Sequence, residues 1–85
     1  MNREKHSTVS AKQMGWDADS GQIKRRQNIF DKCRGNALKA SRILQNTAMR
    51  GGSDDIRRKA RNDARYFFNM HERRKERMRR REGVK

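Results

Sequence analysis

No proline interrupts this 85-residue chain, so nothing along it locks a backbone dihedral or removes an amide donor. Arg, Lys, Ala, Gln and Met fill the stretches between its few glycines, and all are good helix formers. Helix is expected throughout, and the question becomes where helices stop. Asp19-Ser20-Gly21-Gln22 fits a capping box, with Asp19 accepting from first-turn amides and Gln22 reaching back. Gly51-Gly52-Ser53-Asp54-Asp55 reads as a stop, a turn and a new start. Glycine takes the left-handed conformation cheaply, Ser53 caps the next helix, and the two aspartates suit the positive end of its dipole. The expectation is an all-α chain with a short polar N-terminal arm over 1–18 and a basic helical hairpin over 19–85. Its two long helices, about 20–50 and 53–82, fold back antiparallel.

Periodicity supplies the seam. Ile23, Phe30, Ala37 and Leu44 recur every seven residues, and Cys33, Ala40 and Thr47 recur beside them, with Arg26 opening the second series. Ile29 and Ile43 widen the stripe. In the second helix Ile56, Ala60, Ala64, Phe67, His71 and Met78 share a face, with Phe68 at its edge. The seam is alanine-rich and thins beyond Phe68, and Gly35 costs the first helix up to ~1 kcal/mol. A lone hairpin of this quality is marginal. Three repairs are open: dimerisation into a four-helix bundle, Met14 and Trp16 folding onto the seam, or completion by a partner.

Charge points to the partner class. The formal net charge is +14. Met1–Ser20 is neutral, Gly21–Gly52 sets eight basic residues against Asp31 alone, and Ser53–Lys85 sets thirteen against six acids, so the last two segments each carry +7. Such a charge repels itself in the compact state, whereas a polyanion relieves it. Lys24, Arg25, Lys32, Lys39 and Arg42 fall opposite the seam of the first helix. Lys59, Asn62, Tyr66, Asn69, Arg73, Arg77 and Arg80 form a second stripe at helical spacing, and Arg81 extends the run. The arginine fork matches phosphate oxygens in pairs. Asn62 and Asn69, one turn either side of Tyr66, suit contacts to base edges, and an exposed tyrosine can stack on an unpaired base. Phe67 and Phe68 are read as packing.

Ala11-Lys12-Gln13-Met14-Gly15-Trp16 resembles the Ala-x-x-Met-Gly-hydrophobic stretch of helix-turn-helix proteins, whose glycine makes the turn. The next helix then comes about two positions late, and the residues before the motif are too few and too polar for a supporting helix. The segment is read instead as an arm in which Met14 and Trp16 form one anchor, suited to a protein partner.

Catalysis finds no footing. Cys33 lies on the seam, His6 and His71 are far apart, no second cysteine exists for a zinc site, and no glycine-rich phosphate loop is present. Asp17-x-Asp19-x-Gly21 departs from a calcium loop at its fifth and last positions. No metal or cofactor is expected. Met1–Ser20 lacks the apolar stretch of a secretory signal, no run spans a membrane, and a single cysteine suits a reducing cytoplasm. Binding to an anionic membrane surface ranks below the other readings, because a hairpin uses its apolar stripes internally. The reading is a small, non-enzymatic nucleic-acid-binding protein, for DNA or structured RNA. The competing one is an accessory factor or inhibitor that docks on a nucleic-acid-processing protein, as small viral and mobile-element proteins do, an analogy of size and charge.

Overall fold

A computed structural model describes the backbone of residues 10–83 and the side chains of residues 10–79. The chain forms a one-turn 3₁₀ helix (Lys12–Met14) followed by α1 (Gln22–Lys32), α2 (Ala37–Arg50) and α3 (Asp54–Gly83). No strand occurs among the described residues, and no described helix is long and apolar enough to cross a membrane.

The expected hairpin lies between α2 and α3, which share the most extensive contact in the molecule. Ser53 Oγ accepts from the Ile56 amide at 3.1 Å, and Asp54 and Asp55 occupy the first turn of α3. Small residues let the two helices approach closely: Ala37, Ala40 and Ser41 on α2 are buried with Ala60 and Ala64 on α3. The Ser41 hydroxyl donates to the Ala64 carbonyl at 3.0 Å. Gly51 does not take the expected left-handed conformation; its backbone is extended (φ −59°, ψ 155°). Space is the reason for glycine there, since a Cβ would sit 2.8 Å from the Thr47 carbonyl oxygen.

The helix expected over 20–50 is two helices. Arg34 (φ 56°) and Gly35 (φ 76°) both turn left-handed. The Arg34 amide donates to Asp31 O at 2.9 Å and the Gly35 amide to Phe30 O at 3.0 Å, the paired bonds that close a helix end. Asn36 then caps α2, accepting from the Lys39 amide at 3.0 Å. The seven-residue repeat runs through this break because both helices turn their apolar sides to one core. Ile23 is the exception: expected in the seam, it is 81% exposed. The Asp19–Gln22 capping box is also absent. Gly21 is the N-cap, without a side-chain bond, and the Asp19 amide is drawn back onto Asp17 Oδ1 at 3.0 Å.

Side-chain contacts set the register of α1 on α3. Arg25 and Arg26 reach Asp63, Phe30 stacks on Phe67 with centroids 5.5 Å apart, and Arg74 Nη1 donates to the Gly35 carbonyl at 2.9 Å. Both series rise together, so α1 runs with α3 and α2 runs against both. The arm completes the core, which is one of the three repairs open to the sequence. Ala11 and Trp16 are buried at a second end-closing turn, with the Trp16 amide on Ala11 O, the Gly15 amide on Lys12 O and Gly15 at φ 86°. Beyond Arg74 the last nine residues of α3 extend by about 13 Å.

Candidate nucleic-acid interface

The centre of the molecule is an aspartate that sequence reasoning passed over. Asp63 is fully buried, and four donors converge on its two oxygens. Trp16 Nε1 is 2.8 Å and Arg25 Nε 2.6 Å from Oδ2, while Arg26 Nε is 2.7 Å and Arg25 Nη2 3.2 Å from Oδ1. One negative charge thereby holds two positive ones and pins the arm to α1 and α3. The signal was present: Asp63 falls on the Ile56–Ala60–Phe67 stripe, and an acid on the apolar face of so basic a helix calls for a cationic partner.

This hub corrects two placements. Arg25 is buried, its side chain 7% exposed, and it does not stand among the outward-facing phosphate contacts. Trp16 is buried with its N–H on Asp63, and Met14 packs half-buried against the core. The pair anchors the arm to its own chain.

Around the hub, α3 presents an outer face. Asn62, Tyr66, Asn69, Arg73 and Arg77 are all exposed at successive steps of three or four residues, a stripe about 22 Å long. Arg61, Arg65 and Arg79 are exposed beside it. None of Arg61, Arg65, Arg73, Arg77 and Arg79 makes an ion pair among the described residues. The Tyr66 ring lies edge-on to Phe67 at 5.1 Å, with the Arg26 guanidinium 4.2 Å over its centroid. Arg26 therefore covers one face of the tyrosine that was expected to stack.

Other expected contacts are dispersed or already engaged. Lys59 Nζ donates to the Ala18 carbonyl at 2.9 Å and pairs with Asp55 at 3.1 Å. Lys24 and Lys32 on α1 and Lys39 and Arg42 on α2 are exposed, on helices other than the one carrying the stripe. Arg74, inside the densest arginine run, stays exposed but lies against α1, with its guanidinium 5.5 Å from the Phe30 ring centroid. The side chains of Arg80 and Arg81 lie outside the described residues.

Among the described residues, two groups are shifted from their ordinary values. Hydrogen bonding to Lys59, with Arg58 close by, holds the Asp55 carboxyl below the usual range. Burial pushes the Cys33 thiol up, which keeps it neutral and a poor nucleophile. No cluster of three or more His, Cys, Asp or Glu side chains able to hold a metal occurs among the described residues. Compared with protein-family models, curated proteins and solved structures, the chain matches none.

Proposed function

We propose that this chain is a small non-enzymatic nucleic-acid-binding protein that lays the outer face of α3 along a DNA duplex or structured RNA. The observation that carries the reading is the set of exposed arginines, without ion-pair partners among the described residues, on one 30-residue helix, interleaved with Asn62, Tyr66 and Asn69. Arg73, Arg77 and Arg79 would contact phosphates and release counterions. The two asparagines would meet base edges, and Tyr66 would offer its hydroxyl and its uncovered side. A rigid helix with a single half-covered ring suits a duplex better than an unpaired strand, whose bases need stacking platforms. The buried free thiol of Cys33 supports a reducing compartment, the cytoplasm in this reading. With Ala11 and Trp16 closing the core, binding asks for no dimer.

The test is fluorescence anisotropy with a labelled DNA duplex and a labelled RNA hairpin over a range of salt. Log affinity should fall linearly with log salt, and Arg73→Ala and Arg77→Ala should each lower the slope by about 0.9. Binding that is absent at low salt, or indifferent to salt, sinks the proposal.

A further inference from the structure

The groove between α2 and α3, on the side of α3 next to the polar stripe, has a different character. Ala48 and Ala64 line its base, while Met49 and Phe68 stand at its edges, 75% and 41% exposed. Its volume is about 430 Å³. Arg61 and Arg65 close one side, both exposed and without an ion pair among the described residues. By helical register Arg42 precedes Gln45 and Met49 along the opposite side.

We infer that this groove docks an acidic amphipathic helix of another protein. Small residues at the base and large flexible ones at the edges make a trough that accepts side chains spaced three and four apart. Methionine adapts its shape to such anchors. The flanking arginines select the charge of the visitor: carboxylates on the rim of its helix would meet Arg61 and Arg65, whereas basic residues would be repelled. The same charge disfavours a second copy of this chain, which would bring two sets of arginines face to face on molecules of net +14. Nucleic acid would satisfy the arginines but leave Met49 and the alanine base without an apolar partner. The inference is independent of the nucleic-acid reading, because it uses other residues of α3.

The experiment titrates the isotopically labelled full chain with a synthetic peptide of about 15 residues, long enough for four helical turns. The peptide carries leucine at positions i, i+3, i+4 and i+7 and glutamate between them. A permuted peptide of the same composition destroys the apolar face. The amides of Ala48 and Ala64 should shift and saturate well below about 1 mM. Met49→Asp and, separately, Phe68→Asp should each weaken binding at least about tenfold while circular dichroism and salt-dependent nucleic-acid binding stay unchanged. No shift up to about 1 mM peptide, equal binding of the permuted peptide, or shifts confined to the Asn62–Tyr66–Asn69 stripe overturns the inference. Self-association dispersed by Met49→Asp, or nucleic-acid binding abolished by it, reassigns the groove and overturns it too.

Discussion

Replacing Asp63 with asparagine tests whether the buried carboxylate organises the fold. Four donors lie within 3.2 Å of its oxygens, and the Arg25 side chain beside it is 7% exposed. Asparagine keeps the shape, but it removes the charge and turns an amide donor towards guanidinium donors. Arg25 is then a buried cation without a counter-ion, a situation that costs about 3–5 kcal/mol. A domain of this length has ~4–13 kcal/mol in all, so the loss is a large share of the total. The melting temperature should fall on the order of 20 °C, measured by far-UV circular dichroism and by the fluorescence of Trp16, which loses a hydrogen-bond acceptor in the same step. The companion variant Arg25→Met/Asp63→Leu removes both charges and refills the space with apolar atoms, and such exchanges are often neutral. It should recover part of the lost stability, because the buried Trp16 N–H still loses its acceptor at about 1–3 kcal/mol while Arg26, at 19% side-chain exposure, swings out to water. A cost below about 1 kcal/mol for Asp63→Asn, the range of an exposed ion pair, would refute the argument. A double variant as unstable as the single one would show that the damage comes from packing and not from an orphaned charge.

Two further outcomes follow from local geometry. Arg34 sits at φ 56°, which costs an L-residue about 1–2 kcal/mol; glycine removes that cost but frees the unfolded chain by about 0.4–1 kcal/mol. Arg34→Gly should therefore stabilise by roughly 0.5–1 kcal/mol, seen as a higher urea midpoint at unchanged slope, and a lower midpoint would mean that the arginine side chain earns its place through contacts. Asp55 has a depressed folded-state pKa, so its contribution is present above the ordinary carboxylate range and is lost as pH falls through the folded value. The difference in melting temperature between the wild type and Asp55→Asn should shrink on acidification, and a difference that grows would contradict the assignment.

The sequence made the α2–α3 turn legible because Gly51, Gly52, Ser53 and two aspartates all act locally, through space, capping and dipole, within five residues. It hid the α1–α2 break because the heptad of Phe30, Ala37 and Leu44 is indifferent to chain continuity, although Gly35-Asn36 already held a helix stop and a cap. Ile23 continued that heptad and is exposed, since a repeat records spacing and not whether a neighbour reaches that far. Asp63 escaped notice for a different reason. Its meaning depends on Trp16, 47 residues away, and on Arg25, 38 residues away, and neither separation leaves a periodic trace. The outer stripe of α3 was readable because exposure on a long straight helix follows from periodicity alone.

How the acids of α3 are spent predicts where a polyanion lies. Asp54 pairs with Arg57, and Asp55 with Arg58 and Lys59, so the first turns of the helix are nearly neutralised within themselves. Asp63 is consumed by Arg25 and Arg26 in the core, and Glu72 pairs with Lys75 at 3.5 Å. The outward charge of Arg73 and Arg77 has no such local partner among the described residues. A phosphate replacing Asp55 at Arg58 must first break an existing pair, whereas one arriving at Arg73 displaces only counterions. On the nucleic-acid reading, Arg58→Ala should therefore reduce the salt slope of binding by less than half of what Arg73→Ala does, against the value of about 0.9 for a full phosphate contact. Equal reductions would mean that the ligand tracks the whole helix without regard to its internal pairing, and the interface would have to be redrawn to include the hairpin turn.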